Sequence, residues 1–247
     1  MNPTFWLSTG IQFLIYGLVA YAAGLLVERK NVKVNYTRKI DFFVLFITPL
    51  VFHRFFPQDQ TVGIVAVRFL LVLAIFLILI KPIRERVPAF MTMFRSFDRP
   101  EDRPHTLLWF STQIIVGYAV LIPMSIVFTR RGFHELMFIP VLIHGIGDGL
   151  AEPVGIRFGR HKYTTRAFLS KERRYTRSYE GSACVFIVGL LSVMLFYSSF
   201  TTPQFFLALL AVPLLTTLAE ANAPHTWDTP YIFLVAGLST FAVKMWV

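Results

Sequence analysis

The sequence is built from apolar blocks of about twenty residues separated by polar connections, and this is the length that a helix needs to cross a bilayer. Only 15% of its 247 residues are charged, against about 25% in soluble domains. We predict an all-α, polytopic integral membrane protein with about eight transmembrane helices (seven to nine), forming one membrane domain over residues 1–247. The predicted blocks are 5–27, 40–56, 61–80, 106–128, 132–151, 181–200, 205–221 and 229–247.

The first block has a rival interpretation as a signal peptide, because Ala20 and Ala22 form an Ala-x-Ala-like site. No Lys or Arg precedes this block, and its apolar run is longer than a signal peptide uses. We therefore expect a spanning helix here.

The basic residues are distributed unevenly between alternate connections. The connections at 28–39, 81–105, 152–180 and 222–228 hold nineteen Lys or Arg residues, whereas the other three hold two. The positive-inside rule predicts that the basic side is cytoplasmic and that both termini lie outside. The formal charge of +10 is therefore interpreted as topology and lipid or phosphate contact, and no nucleic-acid partner is expected.

The stretch 144–182 combines six glycines, four carboxylates and clustered cations. Asp148 and Glu152 are four residues apart, so a helix would place them on one face. Eight Lys or Arg residues lie from Arg157 to Arg177. Carboxylates and cations together are typical of a metal–triphosphate site. The candidate cations are Arg157, Arg160, Lys162, Arg173, Arg174 and Arg177.

The predicted topology brings Glu220 and Asp228 to the same cytoplasmic face as Asp148. Ionisable residues in spanning segments are functional candidates by default, and Asp148, Glu152 and Glu220 fit that description best. The predicted catalytic segments are 144–182 and 219–230. The basic stretch also fits a plain cytoplasmic surface in contact with anionic lipid, so the residues alone leave both interpretations open.

Three segments resemble the CTP-dependent polyprenol kinase family of dolichol kinases, phytol kinases and CTP-using diacylglycerol kinases. Residues 147–159, GDGLAEPVGIRFG, resemble the family's GDxxAxxxGxxFG block, and residues 177–182, RSYEGS, resemble its following basic-Ser/Thr-x-Glu/Ala-Gly-Ser/Thr element. Glu220 with Asp228-Thr229-Pro230 resembles a late element of a Glu, a short loop ending in Asp-Asn, and a Pro. Arg38-Lys39 is a fainter match. The sequence departs from the family at Phe42, where a His is usual, and at Thr229, where an Asn is usual; the segment 162–177 is also longer and more basic.

The resemblance implies transfer of the CTP γ-phosphate to a polyprenol, phytol or diacylglycerol-type alcohol, with Mg²⁺ as cofactor. It implies catalytic roles for Asp148, Glu152, Glu220 and Asp228, with Asp148, Asp228 and Glu220 as metal ligands. The implied nucleotide-binding residues are Gly155, Arg157, Gly159, Arg160, Lys162, Arg177, Ser178, Glu180, Gly181 and Ser182. The expected partners are CTP, the lipid alcohol and membrane lipids, with the active site on the cytoplasmic face of a bacterial inner membrane or of an ER or plastid membrane.

Two other functions stay open. Phosphatidate cytidylyltransferases share similar blocks, but the region 219–230 lacks their Lys-Asp pair and double Gly. A non-catalytic membrane scaffold or transporter is the alternative from another class; transporters often contain repeated halves, and no internal repeat is visible in this sequence.

Overall fold

The computed structural model describes residues 3–56, 62–167, 170–225 and 227–246. The chain divides into two compact units, Met1–Ser111 and Thr112–Val247, which we call the N-terminal and C-terminal units. Within the described residues the protein is predominantly helical, which confirms the all-α class. The side chain of Arg173 lies outside the part of the chain that is described.

The described residues of the N-terminal unit form five α-helices and the start of a sixth, with a short 3₁₀ turn at Pro100–Asp102. They are α1 (Pro3–Lys30), α2 (Val34–Phe55), α3 (Val62–Ile78), α4 (Lys81–Arg84), α5 (Pro88–Arg95) and the first residues of α6 (Thr106–Arg130). Helix α5 lies directly against α1, since a Cβ added at Gly24 would lie 1.9 Å from the carbonyl oxygen of Thr92. The side chain of Thr92 also donates a hydrogen bond of 3.0 Å to Glu28 Oε1.

The C-terminal unit holds the rest of α6 and a second set of elements. They are α7 (Phe138–Leu142), a π-helical segment (Ile143–Asp148), α8 (Gly149–Phe158), β1 (Lys162–Ala167), β2 (Ser170–Ser178), α9 (Tyr179–Leu195), α10 (Thr202–Asn222) and α11 (Asp228–Trp246). Its apolar core includes Ile139, Ile143, Val185, Val212 and Ile232, which are fully buried. This core supports the segments that carry the site.

Helix α10 has its polar residues on the inside and its large apolar residues on the outside. Its buried stripe follows a four-residue period through Gln204, Ala208, Val212, Thr216 and Glu220. The opposite stripe, Phe206, Leu210, Leu214 and Leu218, is exposed, with Phe206 and Leu210 both 65% accessible. Exposed apolar surface of this extent is typical of contact with a membrane or a protein partner.

Three helices among the described residues, α1, α6 and α10, are long and apolar enough to cross a membrane. Helix α9 and residues Ala66–Ile78 of α3 are apolar but shorter. Helices occur in all eight predicted blocks. The finer prediction of seven to nine spans in one membrane domain remains a prediction.

The fifth predicted block, 132–151, is not one regular helix. A short 3₁₀ turn (His134–Met137) is followed by α7, the π-helical segment and the start of α8. A π-helical turn contains more residues than an α-helical turn, and such segments occur frequently at functional sites. Asp148 is its last residue.

The basic connection contains a β-hairpin that the helical interpretation of the sequence did not include. Strands β1 and β2 pair antiparallel, with Tyr163 opposite Arg177 and Thr165 opposite Tyr175. These four residues are buried or half-buried. Their neighbours in the strands, Lys162, Thr164, Arg166, Arg174 and Thr176, are exposed. The strand period of two therefore separates the cations into outward-facing residues and the inward-facing Arg177.

Candidate active site

Arg177 is the centre of a buried polar cluster in the C-terminal unit. Its Nη1 donates to the backbone carbonyl of Glu220 at 2.5 Å and also to the Oε1 atom of the Glu220 carboxylate. The two side chains are only 12% and 5% exposed. Arg177 Nη2 lies 3.6 Å from Asp228 Oδ2. One guanidinium thus connects the end of β2 to the last turn of α10 and the first residue of α11.

The second carboxylate oxygen of Glu220 also accepts a hydrogen bond. Ser182 Oγ donates to Glu220 Oε2 at 2.9 Å, and the hydroxyl of Tyr163 lies 2.6 Å from Ser182 Oγ. Because the single hydroxyl proton of Ser182 goes to the carboxylate, Tyr163 is the donor of that second bond. Burial, together with the charge of Glu220, raises the pKa of Tyr163, so its phenol keeps the proton that it donates.

Asp228 is held where α11 begins. Its Oδ1 accepts hydrogen bonds from Gln113 Nε2 at 3.3 Å and from the backbone N–H of Thr229 at 3.2 Å. Gln113 also donates to Thr229 Oγ1 at 2.5 Å. A carboxylate in the first turn of a helix is stabilised by the unpaired N–H groups there. These contacts fix Asp228 next to Arg177.

Arg177 keeps its positive charge inside the cluster. Burial lowers the pKa of Arg177, but the negative charges of Glu220, Asp228 and Asp148, with Tyr163, outweigh it and raise that pKa overall. Arg177 therefore stays charged, with Glu220 and Asp228 in contact with its guanidinium and the charge of Asp148 also acting on it.

Asp148 reaches this cluster from the π-helical segment. It is buried, and its Oδ2 lies 3.8 Å from His144 Nδ1. The His144 ring packs edge-on against Phe233, with ring centroids 4.8 Å apart. The neighbouring Gly147 has no side chain, so the backbone approaches α9: an added Cβ would lie 3.1 Å from Val185 Cα. Asp148 is thus flanked by the His144 side chain and by close backbone packing at Gly147.

The motif glycines and Ser178 pack α8 against the start of α9. A Cβ at Gly155 would lie 2.8 Å from Ser178 Oγ, and one at Gly181 would lie 2.6 Å from the carbonyl oxygen of Ala151. A Cβ at Gly159 would lie 2.8 Å from Ser178 Cβ. Ser178 also caps α9, since its Oγ accepts from the Gly181 N–H at 3.1 Å. In this structure these predicted nucleotide-binding residues hold helices together.

Glu180 fastens the connection between α8 and β1. Its Oε1 accepts from the backbone N–H groups of Arg160 at 3.0 Å and His161 at 3.2 Å, and lies 3.0 Å from His161 Nδ1. Its own backbone N–H, the His161 side chain and these two amides lower the pKa of Glu180 to about 2. Glu180 is therefore a charged anchor at the start of α9.

The remaining predicted residues lie at the surface of the same unit. Arg157, Arg160, Lys162 and Arg174 are exposed, and the Arg157 guanidinium lies 5.7 Å from the centre of the Phe158 ring. Glu152 is half-buried on α8. The structure therefore brings together Asp148, Arg177, Ser182, Glu220 and Asp228, and these four described cations face outward.

The carboxylates of the cluster are the candidate ligands for Mg²⁺. Within the described ranges no group of three or more His, Cys, Asp or Glu side chains has an arrangement that could hold a metal ion. Both oxygens of Glu220 are engaged by Arg177 and Ser182, so Glu220 fits a positioning role better than that of a ligand. Mg²⁺ commonly uses only one or two carboxylates together with substrate phosphates. Asp148 and Asp228 would supply those carboxylates, since Asp228 Oδ2 lies 3.6 Å from Arg177 Nη2, a longer distance than the contacts of Arg177 and Ser182 with the Glu220 oxygens.

Two members of the cluster were missed in the sequence. Tyr163 alternates with Thr165 in a short run rich in Thr and Tyr, a pattern that indicates a strand. Gln113 is a polar residue within an apolar block, and polar residues in such blocks usually have a defined partner. Both signals were present in the sequence.

Comparison of the chain with protein-family models, with curated proteins and with solved structures finds no match.

Proposed function

We propose that this chain is a multi-pass membrane enzyme that transfers the γ-phosphate of CTP to a lipid alcohol, with Mg²⁺ as cofactor. One observation supports the proposal above the others. Arg177 is paired with Glu220 in a buried contact and also feels the charge of Asp148, and these three residues come from the three segments that resemble CTP-dependent polyprenol kinases. Their separation along the chain makes this convergence informative.

In the proposed topology all eight blocks span the membrane and the cluster lies at the cytoplasmic face. The uneven distribution of basic residues between connections supports this orientation. The exposed apolar stripe of α10, opposite a buried stripe that ends in Glu220, fits a helix with lipid on one side and the site on the other.

Phosphoryl transfer requires positioning and charge stabilisation more than covalent catalysis. In the proposed reaction the lipid hydroxyl oxygen forms a bond to the γ-phosphorus. The bond from that phosphorus to the β–γ bridging oxygen breaks, and CDP leaves. The hydroxyl proton passes to a carboxylate, for which we assign Glu152, one turn after Asp148 on α8.

The assigned roles separate the buried charges from the exposed ones. Asp148 and Asp228 would hold Mg²⁺, which would offset the negative charge of the phosphates. Glu220 and Ser182 position Arg177, whose charge faces the transferring group. Arg157, Arg160 and Lys162 are exposed and are assigned to the outer phosphates of the nucleotide.

The proposal is tested with purified protein in liposomes that contain a polyprenol, phytol or diacylglycerol, supplied with γ-labelled CTP and Mg²⁺. We expect label in the lipid fraction with at least one of these alcohols. Label that stays in the nucleotide fraction with every acceptor would contradict a kinase.

A further inference from the structure

The N-terminal unit contains a cavity of about 260 Å³, near the lower limit of typical ligand pockets. Helices α1, α2 and α3 form most of its wall, through residues such as Phe13, Leu45 and Val72. Met93 of α5 and the rings of Phe97 and Phe110 complete it. A wall of this composition suits a hydrocarbon chain.

Three of the described lining residues carry an oxygen or nitrogen in their side chains: Tyr16, Arg38 and Asp41. The Tyr16 hydroxyl lies 3.4 Å from Gln12 Oε1. Arg38 and Asp41 are three residues apart on α2, so their side chains share one face of that helix. Two of these three polar residues therefore lie together on α2.

Asp41 is the unusual member of this wall. Its Oδ2 accepts a hydrogen bond of 2.5 Å from Ser96 Oγ. Its Oδ1 is buried, and no described residue donates a hydrogen bond to it. A buried polar oxygen without a donor costs about 1–3 kcal/mol, so a donor supplied by a ligand would be favourable here.

We infer that this cavity binds a long-chain alcohol, with the hydroxyl at Asp41 and Arg38 and the hydrocarbon chain against the apolar wall. A hydroxyl both donates and accepts, so it matches a carboxylate and a guanidinium on the same helix face. A primary ammonium cannot accept from Arg38. A carboxylate ligand has no proton for Asp41 Oδ1. This inference does not depend on the transfer reaction proposed above.

The test uses photolabelling of the full-length protein in detergent, without nucleotide. The probes are hexadecanol with a diazirine on its chain, the methyl ether of that alcohol and the corresponding amine. We expect the alcohol to label residues of α1, α2 or α3 at least about ten times more strongly than the ether, since a hydrogen bond to a charged group is worth about that factor. Equal labelling by the ether, or stronger labelling by the amine, overturns the inference.

Two glycines of α1 provide matched variants. Gly17 lines the cavity, and a Cβ added there would meet only Met93 Cε within 4 Å, at 3.7 Å. Gly10 is exposed on the same helix and would meet nothing within 4 Å. Gly17→Leu should reduce alcohol labelling about tenfold, whereas Gly10→Leu should leave it unchanged. Equal labelling of both variants contradicts a cavity site.

Asp41→Leu tests whether Asp41 binds the hydroxyl of the ligand. The test is independent of folding, because the readout is a ratio of two probes on the same protein. The alcohol-to-ether ratio should fall to about one. A ratio that stays at the wild-type value rejects Asp41 as the anchor. Since no nucleotide is present, a failed kinase assay leaves this result intact, and a failed labelling experiment leaves the kinase proposal intact.

Discussion

Arg177 Nη1 donates to both the backbone carbonyl and the side-chain carboxylate of Glu220, a residue 43 positions later in the chain. The pair is buried and unites β2 with α10. Removal of one partner from a buried ion pair typically costs about 3–5 kcal/mol, because the other charge is left without compensation. The pair therefore contributes to the fold as well as to the candidate site.

The Arg177→Lys variant should be impaired in both stability and activity. Lysine keeps the charge, but its single ammonium cannot serve Glu220 and Asp228 with two separate nitrogens. We expect a lower Tm and at least about a tenfold loss of CTP turnover. Arg174→Lys, on the outward face of the same strand, is the matched control and should stay within about 0.5 kcal/mol of wild type. Wild-type behaviour of Arg177→Lys would contradict a functional role for the pair.

Gly181→Ala tests whether the motif glycines act through packing. The added Cβ would lie 2.6 Å from the carbonyl oxygen of Ala151, and overpacking of this kind costs about 1–3 kcal/mol. The Tm should fall by roughly 2–10 °C. Gly10→Ala adds a Cβ with nothing within 4 Å and should not lower the Tm. An unchanged Tm with a raised KM for CTP would instead indicate that Gly181 contacts the nucleotide.

The Glu180 anchor should make stability depend on acid pH. The pKa of Glu180 is lowered from 4.5 to about 2 by its hydrogen bonds. Its stabilising contribution is therefore complete above pH 4.5 and is lost as the pH falls through about 2. The Tm difference between wild type and Glu180→Gln should be largest at neutral pH and shrink steadily below pH 4.5. A difference that is the same across this range would reject the charged anchor.

Topology can be tested with single cysteines in a Cys184→Ala background. Thr202 begins α10 and Thr164 lies on β1, and both are exposed. In intact cells an impermeant thiol reagent should label Thr202→Cys and not Thr164→Cys. Thr165 is unsuitable because it is buried and would be protected on either side. Labelling of Thr164→Cys from outside would reverse the proposed orientation.

The helical blocks could be predicted because apolar length is a strong local signal, and a helix occurs in each predicted block. The break in the fifth block could not, since the π-helical segment depends on packing between Gly147 and α9. The hairpin was missed because a cluster of cations was interpreted as a loop, although Tyr163, Thr165 and Tyr175 alternate with polar residues. The predicted topology, the basic stretch and the resemblance to the kinase family identified Arg177, Glu220 and Asp228 as candidates. They could not indicate that Arg177 forms a buried ion pair with Glu220, because that depends on tertiary contacts.

The most direct test of the central claim compares wild type with Asp148→Asn, using CTP that carries one label on the γ-phosphate and another on the cytidine. Asn keeps the volume of Asp148 but removes the charge that Mg²⁺ requires. With wild type, we expect γ-label and no cytidine label in the lipid. With Asp148→Asn, transfer should fall at least about 100-fold while the Tm stays near the wild-type value. Cytidine label in the lipid would instead indicate a cytidylyltransferase, and near-normal γ-transfer by Asp148→Asn would contradict the proposed site.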